Sequence, residues 1–522
     1  MNRNFFIISL IAALFLPACR ASNSTDQFVN SQPTNDKTGF AVPKPNVNLN
    51  ALLEISEEPD DVARCEKINQ TIDDSQFSNA RWGVFVFDLK TGRVVCERDS
   101  RRLFNPASVH KTLTSIVALD KLGADFRWQT KVFADVEIEN GVLNGDLTIY
   151  GGGAPDFSEQ DLETLVSRLR SKNLVKITGN IVGDESFFRG DNLGDGWAWN
   201  DAQWYYGAEA SALSIDKNQT EINLENGKVV ASNAFVQISG AVKPVEDIEA
   251  VGVKRELSSD QIYVWGNANN LKAKVSVNNP ALQTAKMLKE ALRKKGIAVE
   301  GDAKSSDWKA ENKSGESEAV ELASVSSATL GEIVQKMNKD SVNLYAELIL
   351  RTLGKHFGDA APDENPQIQK LRGDDAAGAS VVKKWLTENQ VATDEIKIHD
   401  GSGLSRLNFV TPEAFGRALI YAAQAKFADC FKNSLPVAGT DGTLRGRLDN
   451  VRGKVLAKTG SIMYVNALAG YASGANDHTF AFVILCNNQT LKENSSVVLD
   501  AIATEITEDL SEKKPEKEEK PK

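Results

Sequence analysis

Strand-forming runs sit near both ends of this chain, and they constrain its fold more than any other feature. Trp82 to Leu89 and Arg93 to Arg98 are rich in apolar and β-branched residues and are joined by a turn ending at Gly92, the pattern of a hairpin. Ser461 to Ser473 and His478 to Cys486 read as strands near the other end, and Ser495 to Leu510 has the periodicity of a closing amphipathic helix. Similar pieces therefore bracket the chain, and the sequence between them changes character. Roughly Trp128 to Leu322 consists of short alternating runs with Asn-Gly turns at Asn140-Gly141, Asn144-Gly145 and Asn226-Gly227, and more helical sequence follows it. At 522 residues the chain exceeds one hydrophobic core, which stops growing at roughly 250 to 300 residues. We expect residues 51–127 and 323–510 to form one domain. Residues 128–322 are then a β-rich inserted region with a nested subdomain near 217–272.

The two ends read differently from the body. Met1 to Cys19 has the parts of an export signal: Arg3, an apolar run from Phe5 to Phe15, and small residues near the end. Leu16-Pro17-Ala18-Cys19 resembles a bacterial lipobox, which makes Cys19 a candidate lipid anchor; the alternative is a plain secretory signal cut a few residues later. The apolar run is shorter than the roughly 20 residues a membrane span needs, and no later stretch qualifies. The expected location is the periplasm, with or without a lipid anchor. Residues 20–50 read as a flexible tether and 511–522 as a disordered charged tail. The net charge of -11 speaks against a nucleic-acid partner, which needs clustered Lys and Arg. Cys65, Cys96, Cys430 and Cys486 permit disulfides in an exported chain, although Cys96 and Cys486 read equally well as buried thiols. No CxxC or other metal spacing occurs, so no metal or other cofactor is expected.

The four histidines show no HxxxH spacing and the chain has no GxSxG elbow, which removes support for zinc hydrolases and α/β-hydrolase triads. A serine can instead be activated by a lysine kept neutral through burial and a neighbouring cation. The best such pair lies in Asn105-Pro106-Ala107-Ser108-Val109-His110-Lys111. Asn105 can cap a helix there, Pro106 suits its first turn, and Leu113, Ile116, Val117 and Leu119 continue the apolar pattern. Ser108 and Lys111, three residues apart, then share a face, and the helix start offers backbone N–H groups to an oxyanion. Each motif also recurs as a decoy. S-x-x-K occurs at Ser214, Ser306, Ser380 and Ser511, K-T-G at Lys37 and Lys90, and S-x-N at Ser171 and Ser276. Only Ser108-Lys111, Ser341-Val342-Asn343 and Lys458-Thr459-Gly460, the last leading a strand, come in order with each member in a fitting element.

That ordered set resembles the penicillin-binding proteins, and more narrowly the D-alanyl-D-alanine carboxypeptidases and endopeptidases of the type called penicillin-binding protein 4. The resemblance runs from about Leu52 to Leu510. It includes Trp199-Asn200-Asp201, Asp400-Gly401-Ser402-Gly403-Leu404-Ser405-Arg406, and Leu435-Pro436-Val437-Ala438-Gly439 with Gly442-Thr443-Leu444, besides a Gly145-Asp146-Leu147 hairpin. It departs at Ala154, where the family carries an acidic residue. The resemblance implies an α/β (α+β) fold of the penicillin-binding-protein and serine β-lactamase type, an antiparallel sheet flanked by helices. It also implies a penicillin-sensitive acyl-enzyme on Ser108, with Lys111 as base and Ser341 and Asn343 handling the leaving amine and the substrate amide. Lys458, Thr459 and Gly460 would bind the substrate carboxylate, and the backbone of Ser108 and Ser461 would form the oxyanion hole. Asp201 and Arg406 would select the diaminopimelate-type side chain. Peptidoglycan stem peptides are then the substrates and β-lactam antibiotics the covalent inhibitors. Trp197, Trp199, Tyr205 and Tyr206 either line that pocket or belong to the core. The alternatives are a serine β-lactamase and an inactive peptidoglycan-binding protein of the same fold.

Overall fold

In the computed structural model the described residues are 41–49, 51–244, 250–310, 319–358, 373–392 and 395–509. The export signal with Cys19, the charged tail and residues 20–40 and 50 of the tether lie outside them. The remaining tether residues rest on the body. Val42, Val47 and Leu49 pack against the core, the Val47 N–H donates to Gln424 Oε1 at 3.1 Å, and Arg417 donates to the Leu49 carbonyl at 2.8 Å. Three apolar side chains in a polar stretch are enough to dock it where an apolar surface is offered.

The elements that build the central layer are α1 (Pro59–Asp73), β1 (Arg81–Asp88), β2 (Arg93–Arg98), α2 (His110–Leu122), α3 (Leu330–Asp340), α4 (Asn343–Phe357), β3 (Val455–Ile462), β4 (Val465–Ser473), β5 (Thr479–Asn487) and α5 (Ser496–Thr507). The sheet order is β3-β4-β5-β1-β2 and every pairing is antiparallel. The two bracketing ends are thus halves of one sheet, joined where Arg81 of β1 stands opposite Asn487 of β5. β1 is apolar at both parities, and only Arg81 is exposed. Side chains alternate along a strand. Trp82, Val84 and Val86 therefore meet Ile68 and Ile72 of α1 and Leu499, Ile502 and Ile506 of α5, whereas Phe85 and Phe87 share the opposite core with Val109, Leu113 and Ile116. Each such side chain contributes about 1.5–3 kcal/mol by burial, which sandwiches the sheet between two helical layers.

The K-T-G segment lies in the middle of β3 and does not lead it, because the apolar run Val455-Leu456-Ala457 already pairs with β4. Two further ties secure the ends. Arg64 of α1 is buried and donates to the carbonyls of Glu505, Ile506 and Glu508 at 2.5, 3.0 and 3.1 Å, satisfying orphan acceptors at the end of α5. Cys65 and Cys96 form a disulfide between α1 and β2, with Cα atoms 4.9 Å apart, which decides against a free Cys96. Cys486 is a buried thiol and Cys430 a half-buried one.

The inserted region carries a mixed five-stranded sheet in the order Ala303–Ser306, Ile181–Asp184, Leu147–Gly151, Gln129–Ala134, Val320–Ser326, whose last strand runs past the expected boundary at residue 322. Two three-stranded sheets from Gln219 to Ser276 have their own core of Ile222, Ile262, Val264 and Val275. Asn140-Gly141 and Asn226-Gly227 adopt the left-handed conformations that their turns need, with φ of 51° and 81° and of 50° and 75°. Asn144-Gly145 does not, and the expected Gly145-Asp146-Leu147 hairpin is absent. Asp146 instead accepts the Asn180 N–H at 2.6 Å, and Leu147–Gly151 finds its antiparallel partner in Gln129–Ala134. The region also contains helices Glu159–Ser171 and Pro280–Lys294, announced by a Ser158/Asp161 capping box and by Asn279 before Pro280. Among the described residues no helix is long and apolar enough to cross a membrane.

Candidate active site

Ser108 sits in a tight turn, Ala107–Val109, immediately before α2. Asn105 fixes that turn: its Oδ1 accepts the Ala107 N–H at 3.0 Å, and its own N–H donates to Asn487 Oδ1 at 2.8 Å, at the end of β5. Ala107 has φ of 46°, a left-handed conformation unusual for a residue with a Cβ. Asn105 thus braces the turn and does not cap a helix as the sequence suggested, because the α-helix proper begins at His110, after an N-cap Val109 without a side-chain cap. Lys111 is fully buried one step further along. Its Nζ lies 2.9 Å from Ser108 Oγ, 2.6 Å from Asn343 Oδ1 and 2.7 Å from the Ser402 carbonyl. Burial pulls this amine down to about 7, against the opposing pull of Asp400 and Glu347. A neutral amine has two N–H donors and one lone pair. The Asn343 and Ser402 oxygens can only accept, so they take the two donors, and the lone pair is left facing the Ser108 hydroxyl.

Ser341 ends α3 in a left-handed conformation with φ of 57°, which turns the chain sharply so that α4 can start at Asn343. The turn aims two adjacent polar side chains at different lysines. Ser341 Oγ accepts from Lys458 Nζ at 2.9 Å, while Asn343 accepts from Lys111 and donates through Nδ2 to the Tyr206 carbonyl at 2.8 Å. Lys458 is fully buried, and desolvation followed by the charge of Lys111 holds it well below the ordinary lysine range. β3 is an edge strand. Pro436 covers part of that edge by accepting the Ala457 N–H at 2.9 Å. Further along, Gly460 lies against the nucleophile turn, where a Cβ would come within 3.0 Å of the Pro106 carbonyl oxygen and the Val109 nitrogen. Thr459 Oγ1 is 2.7 Å from Thr443 Oγ1, and Ser461 is exposed.

Asp201 and Arg406 are each held by other partners. Asp201 accepts the Ala198 N–H at 3.2 Å and stands beside Tyr206, whose phenol is raised by burial and then by that carboxylate. Arg406 donates to the Met463 carbonyl at 2.8 Å, at the tip between β3 and β4. Trp199 and Tyr205 are exposed and not core, and Trp197 Nε1 donates to Asp400 Oδ2 at 2.9 Å.

Three contributors were not assigned from the sequence. Asp400, fully buried, accepts from Trp197, Ser402 Oγ, the Gly403 and Ser405 N–H groups and Asn408 Nδ2. Burial works to raise its carboxyl, but His110 and these donors hold it below the usual carboxylate range. Glu347 on α4 is equally buried and pairs with Arg351 one turn on at 3.1 Å. Thr443 was quoted within a motif without a role. A Glu and an Arg four apart in the apolar run Leu344 to Leu353 were the available signal for the second. His110, fully buried and pushed down to about 4 by burial, is neutral near pH 7. No group of three or more potential metal ligands occurs among the described residues.

The sequence profile of the D-Ala-D-Ala carboxypeptidase 3 (S13) family matches residues 65–507. A D-alanyl-D-alanine carboxypeptidase of Actinomadura sp. (strain R39) is 30% identical over 483 residues, covering 86% of this chain and 86% of that protein. The D-alanyl-D-alanine carboxypeptidase DacB of Haemophilus influenzae is 26% identical over 424 residues, covering 78% and 85%. The crystal structure of penicillin binding protein 4 from Haemophilus influenzae aligns with a TM-score of 0.72 at 25% identity, covering 85% of this chain and 98% of that one.

Proposed function

The chain belongs to the D-Ala-D-Ala carboxypeptidase 3 (S13) family and is a carboxypeptidase hydrolase of the serine type, and from that premise we propose that it cleaves the peptide bond after D-alanine in peptidoglycan stem peptides through an ester on Ser108. The lone pair of neutral Lys111 takes the Ser108 proton as Oγ bonds to the carbonyl carbon, and the backbone N–H groups of Ser108 and Ser461 hold the resulting oxyanion. Collapse breaks the C–N bond. The leaving amine takes its proton through Ser341 Oγ, which Lys458 contacts, while Asn343 holds the substrate amide. Lys458, Thr459 and Thr443 face the terminal carboxylate, and Gly460 lets β3 approach it closely. Lys111 is neutral again once the proton it took from Ser108 has passed to the leaving amine; it then takes a proton from the water that attacks the ester and returns it to Ser108 Oγ as the ester C–O bond breaks. Asp201 and Arg406 select the side chain of the residue that precedes the cleaved pair.

The observation that carries this reading is the bonding of Lys111, whose two fixed acceptors leave its lone pair for Ser108. A β-lactam would be attacked in the same way and trapped, as the relative of penicillin binding protein 4 type solved with a β-lactam suggests. The export segment Met1–Cys19 would deliver the enzyme to the periplasm, where its substrate lies. Intact-mass analysis with a fluorescent penicillin tests the proposal. The expected result is one adduct on the wild type and none on Ser108→Ala; an unmodified wild type refutes it.

A further inference from the structure

The most heavily bonded polar groups near the site are not the reacting ones. Glu347 is fully buried on α4, and its Oε1 accepts the Gly401 and Ser402 N–H groups, both at 3.0 Å. The carbonyl of that same Ser402 accepts from Lys111 Nζ at 2.7 Å. Glu347 is thus one residue removed from the base, the link running through the Ser402 Cα that joins the N–H bonded to Glu347 and the carbonyl bonded to Lys111. Asp400 holds the same loop from the other side through the Gly403 and Ser405 N–H groups. The groups facing Lys111 are His110 on its own helix, Asp400 in the loop, Glu347 on α4 and Lys458 on β3. Those facing Glu347 are Arg351 on α4, Asp400 and Lys111 itself.

We propose that Glu347 is a positioning residue for the Lys111 base. Its carboxylate clamps the Gly401-Ser402 backbone so that the Ser402 carbonyl occupies one donor of Lys111 and directs the lone pair at Ser108, and its charge sets the pH at which that lone pair becomes free. Arg351 favours the ionised form of the clamp. It pairs with Glu347 Oε2 and donates to the Asp191 carbonyl at 3.0 Å, and its pull works against burial and then Asp400, which leave the Glu347 carboxyl raised to about 7 even with Arg351 in place. An acid left neutral there would need its own acceptor, whereas the loop offers two backbone donors. The inference rests on Lys111 acting as the base.

The sign follows from the charges. A neutral Lys111 is required, so acylation rises as pH increases through about 7. Asp400 and Glu347 both favour the protonated lysine. Removing the Glu347 charge therefore moves the acid limb to lower pH.

The test is the second-order acylation rate with fluorescent penicillin from pH 5 to 9, on full-length wild type, Glu347→Gln and Glu347→Leu. Glu347→Gln keeps an acceptor for the two N–H groups. It is expected to shift the acid limb down by about one pH unit while keeping most of the high-pH plateau. Glu347→Leu loses the acceptor as well and is expected to lose roughly a hundredfold of the plateau. If either single variant fails to fold, the double variants Glu347→Gln/Arg351→Met and Glu347→Leu/Arg351→Met remove the stranded cation and carry the same expectations. An acid limb unmoved in the Gln variant, or a full plateau in the Leu variant, overturns the proposal. A wild type that is never acylated fails differently, because it sinks the catalytic reading and the clamp with it.

Discussion

Gly403→Ala should disable the enzyme while leaving it folded. Gly403 has φ of +82°, and a Cβ there would lie 2.6 Å from the Ala107 carbonyl carbon and 2.9 Å from His110 Cβ, nearer still to the Ala107 oxygen. Carbon atoms rest about 3.5–4.0 Å apart, so the two backbones must separate by about 1 Å. They are the loop that supplies the Ser402 carbonyl and the turn that carries Ser108, so the separation falls directly on the contacts around Lys111. A displacement of that size costs roughly a hundredfold in rate, or about 2.7 kcal/mol of activation free energy. The left-handed φ adds about 1–2 kcal/mol of destabilisation and the overpacking about 1–3 kcal/mol, which a stable domain tolerates. Gly92→Ala is the matched control. Its φ is +74° and nothing lies within 4 Å of the added carbon, so it carries the conformational cost without the clash. Acylation rates with fluorescent penicillin, read beside urea unfolding curves, separate the two effects. Gly92→Ala should lose stability and keep its rate; a Gly403→Ala enzyme acylated at the wild-type rate refutes the reasoning.

Two expectations concern the ties that α1 makes, to β2 and to the end of α5. Replacing Cys65 and Cys96 by alanine opens a cross-link with a sequence separation of 31 and should cost about 3–4 kcal/mol, measured as a fall in the urea midpoint that reducing agent reproduces in the wild type. Arg64→Met removes three hydrogen bonds to carbonyls at the end of α5 and should cost about 1–3 kcal/mol in the same assay, with an unchanged midpoint as the contrary result.

How much of this was legible in the sequence depended on whether a role is local. Ser108 and Lys111 meet because three residues on one helical turn must meet, and β1 announced its burial on both faces by carrying apolar residues at both parities. Ser341 and Lys458 could be ordered along the chain but not paired, since their contact spans 117 positions. Glu347 and Asp400 were invisible as functional groups for a related reason. Half of their partners are backbone N–H groups of a loop, and a backbone donor carries no residue signature. Asn144-Gly145 shows the opposite failure. A strong local turn signal was overridden once Asp146 found Asn180 and the strand beyond it joined a sheet with distant partners.

The placement of β1 between β2 and β5 governs when such a chain can act. A nascent chain that has emerged as far as residue 450 already contains Ser108, Lys111, Ser341 and Asn343, yet β1 would have a neighbour on one side only. Its other neighbour, the second lysine and the Asn487 side chain that steadies the nucleophile turn all lie further along the chain. The active centre is therefore complete only when β3 and β5 have joined the sheet, and a fragment that stops before them lacks Lys458 and the brace on the Ser108 turn.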